Sequence, residues 1–304
     1  MQDFAQQLIN GLSLGSIYAL IAIGYTMVYG IIGLINFAHG EVYMIGAYTS
    51  IVSLVGLGAF GVNTLPFLLP LAFVLTIVAT SGYGFMLERI AYKPLRNSPR
   101  LVPLISAIGM SIFLQQFVAV GQSGKDIALQ PIMKARWELF SGSNFSVNIS
   151  ALQIVIFLMT IISMTALHLF IQKSKIGKAC RACSEDLQMA RLLGIHTDRI
   201  ISITFIIGAI LAAVAGMLGA LYYGVVNPFM GFIAGIKAFT AAVLGGIGSI
   251  PGAMLGGFIL GLSESFCGAY FSAEYKDVVS FSLLILVLLF RPTGILGKAE
   301  IEKV

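Results

Sequence analysis

The strongest constraint on this chain is a set of long stretches that hold no Asp, Glu, Lys or Arg at all: residues 4–40, 42–87, 101–124, 139–172, 200–236 and 238–263. About 20 apolar residues suffice to cross the hydrocarbon core of a bilayer, so each stretch holds at least one span. Charged residues make up only 10% of the 304 positions, well under the roughly 25% of a soluble domain. The expected fold is therefore an all-α polytopic membrane protein, one transmembrane domain over residues 1–304. The 34 glycines fit that setting, because small residues let helices approach closely in lipid.

Spans are expected near residues 8–29, 42–57, 67–87, 101–120, 152–171, 200–222, 232–244, 253–271 and 278–290. That gives about eight or nine transmembrane helices, with half-crossings at 30–41 or 232–248 as the alternative that changes the count. The start Met1-Gln2-Asp3-Phe4 lacks the basic region of a cleaved leader, so the first apolar block is expected to stay. Basic residues divide unevenly between alternate loops. The 88–100 loop, the 173–199 segment and the tail after Phe290 carry 4, 6 and 3, against 3 in the 122–150 loop and 1 at Lys276. Positively charged loops stay in the cytoplasm. This rule places the 173–199 loop and the C-terminus inside and the 122–150 loop outside, with Trp137 as an interfacial anchor.

Polar groups inside such spans are costly and worth tracing. Asn36, His39 and Glu41 crowd into six residues between apolar segments; Asn227, Lys237 and Glu264 lie in later ones. Two readings stand for the first cluster: a turn that caps the second span, with Glu41 favoured at a helix N-terminus, or part of a pathway. Opposite charges at Glu41, Lys237 and Glu264 invite pairing, in a combination the sequence leaves open. A weak internal similarity sets Tyr29-Gly30-Ile31-Ile32, followed by Asn36-Phe37, against Tyr223-Gly224-Val225-Val226-Asn227-Pro228-Phe229. As a repeat, it would put a glycine-broken helix with an asparagine in each half, the pattern of unwound backbone that lines a substrate site.

The 173–199 segment is a charged island between two apolar halves. Within it, residues 184–194 read as a short helix: Ser184 as N-cap, Glu185 and Asp186 in the first turn, Gly194 as stop. Helical spacing puts Ser184, Gln188 and Arg191 on one face and turns Leu187, Ala190 and Leu193 away. Such a helix is either an ordinary solvated turn or a surface for a partner. Cys180 and Cys183 form a lone CxxC with too few neighbouring ligands for zinc and no βαβ pattern for redox chemistry. Three scattered histidines give no metal motif, and no GxxxxGK[ST] cradle or GxSxG elbow occurs. These absences argue against an enzyme and against nucleotide binding by this chain, and loop placement accounts for the net charge of +5 without a nucleic acid.

The island, the segment Asn36-Phe37-Ala38-His39-Gly40-Glu41, the run 244–252 and the tail Arg291-Pro292-Thr293-Gly294-Ile295-Leu296-Gly297 together resemble the permeases of the branched-chain amino acid ABC importer family. The resemblance implies a multi-pass subunit of the bacterial inner membrane that works with a second homologous permease, two cytoplasmic ATPases and a periplasmic amino-acid-binding protein. ATP and Mg would be used by those partners, with no cofactor in this chain. It further implies that the island, through Ser184, Glu185, Asp186, Leu187, Ala190, Arg191 and Gly194, is the ATPase-coupling loop. Many ABC importers carry Glu-Ala-Ala and a distant glycine there, whereas this chain has Glu185-Asp186-Leu187, then Ala190 and Gly194. The implied cargo is leucine, isoleucine or valine; urea, amides or other amino acids are the alternatives within the family, and an ion-coupled secondary transporter is the alternative outside it.

Overall fold

Each charge-free stretch contributes at least one helix to the computed structural model, which describes residues 2–297 except 63, 97, 100, 123, 143 and 144. Seven helices among the described residues are long and apolar enough to cross a membrane. They are α1 (Gln2–Ile32), α2 (His39–Ala59), α3 (Leu65–Leu87), α4 (Leu101–Gly121), α5 (Ala151–Lys173), α8 (Thr197–Tyr223) and α10 (Ile250–Tyr270). Two shorter ones, α9 (Met230–Gly245) and α11 (Lys276–Phe290), complete the set of expected spans. Between α5 and α8 lie α6 (Lys175–Glu185) and α7 (Leu187–Leu192). Glycines 11, 15, 24 and 30 do not interrupt α1, because neighbouring backbones fill the space beside most of them.

The 122–150 loop has structure of its own. Strands β2 (Arg136–Gly142) and β3 (Phe145–Ser150) form an antiparallel hairpin, and β1 (Ile127–Ala128) pairs with β4 (Val225–Val226). Alternation in Phe145-Ser146-Val147-Asn148-Ile149-Ser150 is the period-two signal that a plain loop would lack. Ser150 ends β3 and starts α5 through a reciprocal cap, its hydroxyl accepting from Gln153 N while the Gln153 side chain accepts from Ser150 N.

The hairpin marks one face of the bundle. Gln6, at the start of α1, donates to Asn148 O (3.1 Å) and accepts from Asn148 N (2.9 Å). The 23 residues of α5 carry the chain about 34 Å to the opposite face, where α6 and α7 lie. Helix α8 returns, since β4 directly follows it and pairs with β1. Arg96 of the 88–100 loop reaches Asp198 at the start of α8 (2.7 Å), so that loop shares the island face. The C-terminal segment joins them: Ile295 N and Leu296 N donate to the carbonyls of Leu244 and Gly245, where α9 ends. The basic segments thus gather on one face and the hairpin on the other, as the charge count requires.

Burial does not follow hydrophobicity. In α1, 83% of the apolar window is buried and in α8 72%, against 17% in α5, which is more apolar than α1. Small residues decide the difference. A methyl group on Gly15 would stand 2.8 Å from Phe258 Cα, and one on Gly11 2.9 Å from Leu262 Cα, so α1 and α10 meet backbone to backbone.

Candidate functional site

Two turns re-enter the bundle from opposite faces. Helix α1 stops where Gly33 takes a φ of 68°, and α8 stops where Gly224 takes 67°. Their amides donate to Tyr29 O (2.7 Å) and Ala220 O (3.0 Å). Three residues further on, Asn36 O accepts from His39 N (3.0 Å) and Asn227 O accepts from Met230 N (3.3 Å), and α2 and α9 begin at once. The internal similarity is therefore structural, with its register corrected: Gly33, not Gly30, corresponds to Gly224, because the left-handed helix stop sets the alignment and the preceding tyrosine does not. Helix α1 runs from the hairpin face to the island face and α8 the reverse, so the two units are inverted. Helix α1 packs on α10 as α8 packs on α3.

The same register pairs Gly40 with Gly231, and these two residues touch. A side chain on Gly40 would collide with Gly231 O and with Gly235, while one on Gly231 would collide with Gly40 O and the Glu41 carboxylate. Helices α2 and α9 thus start against each other, N-terminus to N-terminus. The junction lies inside the bundle, since His39 sits against Gly24 of α1 and Gly208, midway along α8.

His39 and Glu41 are 2% and 1% exposed. Glu41 Oε1 accepts from Ser111 Oγ of α4 at 3.1 Å. Its Oε2 lies over Gly231 and has no hydrogen-bond partner among the described residues, and the same holds for His39 Nε2. Each helix N-terminus carries about half a positive charge, which is the field that holds a carboxylate here. Tyr25 meets the His39 ring edge-on, with centroids 4.8 Å apart. The two asparagine amides do not point into the junction. Asn36 Oδ1 accepts from Tyr92 Oη at 2.9 Å and Asn227 Oδ1 from Phe229 N at 3.0 Å, so each amide holds its own turn. Ser111, Tyr25 and Tyr92 lie outside the residues expected from sequence; none carries a spacing that ties it to residues 36–41.

Lys237 and Glu264 form a second group. Lys237 Nζ lies 3.0 Å from Glu264 Oε1 and 2.8 Å from Asp277 Oδ1. Glu264 also accepts from Tyr18 Oη (3.0 Å) and Ser280 Oγ (2.8 Å). The open question of pairing resolves to Lys237 with Glu264, leaving Glu41 to Ser111. This cluster joins α1, α9, α10 and α11 and borders a cavity of about 430 Å³ with Asn10 and Tyr223. Every buried charge in it has a partner, as a stable buried ion pair requires.

The island departs from the single helix expected over residues 184–194. Ser184 is no N-cap: it lies in the last turn of α6 and donates to Arg181 O (2.8 Å). The cap of α7 is Asp186, whose carboxylate accepts from Gln188 N (2.8 Å) and Met189 N (3.0 Å). Helix α6 runs on through Ser184 to Glu185, and the backbone turns extended only at Asp186, which is where a cap is needed. Gly194 does stop the segment, with φ 84°. Ala190 is buried and Leu187 half-buried, but Leu193 is exposed with Met189 and Leu192, contrary to the expected face. Glu185 is exposed, and Arg191 donates to Thr197 Oγ1 (3.2 Å). Cys180 and Cys183 are buried free thiols, and burial raises the pKa of both, the state of inert cysteines.

A bundle of membrane-long helices, in which two inverted re-entrant turns meet and one of them carries a buried histidine and a buried carboxylate, has the architecture of a membrane transport protein. Residues 7–288 match the family described as the permease component of branched-chain amino acid transport systems, and the chain belongs to that family. It is a transport subunit rather than an enzyme. It is 60% identical, over 99% of its length and 98% of the relative's, to the high-affinity branched-chain amino acid transport system permease protein LivH of Salmonella typhimurium. The permease protein LivM of the same organism is 29% identical over 92% of this chain and 68% of its own length. A metal-chelate type ABC transporter in an inward-facing conformation shares the fold, with a TM-score of 0.50, 11% identity, and coverage of 94% of this chain and 85% of that one.

Proposed function

We propose that the protein is the permease of an ATP-driven importer of leucine, isoleucine and valine in a bacterial inner membrane, with the island face and C-terminus in the cytoplasm and the hairpin face outside. The carrying observation is the family match over residues 7–288, joined to near full-length identity of 60% with LivH. A LivM-like second permease is the expected partner, since LivM is itself a distant relative of this chain. Two cytoplasmic ATPases would supply ATP and Mg chemistry, and a periplasmic binding protein would deliver the amino acid to the hairpin face.

Two sites then have roles. Helix α7 holds Met189, Leu192 and Leu193 exposed on the island face, an apolar surface suited to an ATPase groove, with Asp186 and Gly194 fixing its ends. The junction of α2 and α9 acts as a gate, in which Glu41, with one carboxylate oxygen unpartnered among the described residues, is the group that an amino acid's ammonium meets.

The test is co-expression with both ATPases, a second permease and the binding protein. Co-purification of all components and leucine uptake competed by isoleucine and valine are expected. Competition by urea, or uptake by this chain alone under an ion gradient, overturns the reading. Proline cannot take the positive φ of Gly194, so Gly194→Pro should abolish binding-protein-stimulated ATP hydrolysis; unchanged hydrolysis and transport remove the coupling role from the island.

A further inference from the structure

The island and the gate are connected by a side-chain chain that neither site accounts for. Helix α3 does not end cleanly: it passes through a π turn, Glu88–Tyr92, into a 3₁₀ turn, Lys93–Leu95. Glu88, fully buried, binds Arg96 and accepts from Ser202 Oγ of α8 at 2.9 Å. Arg96 holds Asp198 on the first turn of α8 (2.7 Å), and the Asp198 side chain is 61% exposed. In the middle of the segment, the Tyr92 ring packs on Phe205 (5.0 Å between centroids) while its hydroxyl donates to Asn36 of the re-entrant turn. Both ends of the segment are thus fastened to the helix that leaves the island. Its centre is fastened to the turn that carries His39 and Glu41.

We propose that residues 88–96 form a mechanical link between the island face and the gate, with Tyr92 as the positioning residue that holds Asn36. The π turn supplies two registers: reverting it to α rotates the residues downstream of it by about 100° and withdraws the Tyr92 hydroxyl from Asn36. The Arg96–Asp198 contact is the exposed half of the link, where a partner docked on the island face can compete, and the Glu88 contacts are the buried half. The link rests on the permease reading for its use, but its existence can be tested without it.

The first test needs only the chain in native membranes. Ile35→Cys, placed in the half-buried turn on a background with the three native cysteines replaced by serine, is labelled with a small maleimide. Adding Tyr92→Phe, which keeps the ring and removes the hydroxyl, should raise the labelling rate about tenfold. Asp198→Asn, a surface change that spares folding, should raise it about twofold. Rates equal to the parent in both variants overturn the link. The second test uses the assembled importer. Leucine imported per ATP should fall about tenfold in Tyr92→Phe, with no further loss on adding Asp198→Asn. Independent, multiplying losses overturn the link, as does unchanged coupling. Failure of the unaltered complex to import leucine defeats the permease reading instead, and the labelling result still decides the link.

Discussion

The turn around Asn36 and the turn around Asn227 share one backbone and differ in almost everything attached to it. Both follow a left-handed glycine, both close on an asparagine carbonyl, and both launch a helix against the other. The first then continues His39-Gly40-Glu41, all buried; the second continues Met230-Gly231-Phe232, with Phe232 and Ile233 more than half exposed. Two inverted copies of a motif thus divide the labour. The shared glycines make the junction, and the polar chemistry sits in one copy alone. The backbone of the junction is symmetric, and the side chains it carries are not.

The comparison breaks most severely at the shared contact. Gly40→Val and Gly231→Val should each destabilise the chain by about 3 kcal/mol, the upper end of overpacking costs, because each side chain would meet backbone of the other turn. Thermal unfolding of the detergent-purified chain measures both. A large loss in one and none in the other would show that the two helix starts do not depend on each other.

The asparagines should differ. Asn36→Ala leaves the buried Tyr92 hydroxyl without its acceptor and should cost about 2 kcal/mol. Asn227, half-buried and with its side chain bound to the amide of Phe229 alone among the described residues, should cost about 0.5 kcal/mol, since water can replace it. Urea titration in mixed micelles separates the two, and equal costs would contradict the asymmetry.

Charge separates the copies in transport. At the position equivalent to Glu41 the second turn has Phe232. Glu41→Gln should lower leucine uptake by the complex about tenfold, the worth of one charged hydrogen bond, while Phe232→Ala should leave it within about twofold. Normal uptake by both Glu41→Gln and His39→Ala would reduce those residues to structure.

Much of this is legible in the sequence. Charge-free runs give the spans, because a bilayer admits few alternatives, and the loops richest in basic residues lie on one face of the bundle. The crowding of Asn36, His39 and Glu41 marks the first of the two re-entrant turns. Three things escape. Residues that approach from distant helices, such as Ser111 and Tyr92, leave no local pattern. Serine and aspartate are nearly equal as caps, so Ser184 competes with Asp186 for the island helix, and only the observed break after Glu185 chooses Asp186. The repeat aligns most visibly on Tyr29 and Tyr223, whereas the physical register belongs to Gly33 and Gly224, whose conformation no side chain advertises.

That register carries the smallest and sharpest prediction. Both glycines need positive φ, a region that costs an L-residue about 1 kcal/mol. Among the described residues, chain neighbours aside, no atom lies within 4 Å of a methyl group added to Gly33, and around Gly224 the nearest is Leu129 O at 3.6 Å, an ordinary contact. Steric collision is therefore absent at both, and only the backbone term remains. Gly33→Ala and Gly224→Ala should each destabilise the chain by about 1 kcal/mol, equally within error, in the same unfolding assay. If Gly30→Ala instead matches Gly224→Ala while Gly33→Ala is silent, the register read from the tyrosines is the correct one. Equal costs at Gly33 and Gly224 would mean that the two turns are equivalent in their backbone demands, so that any difference between them in transport comes from the side chains of residues 36–41 and 227–232.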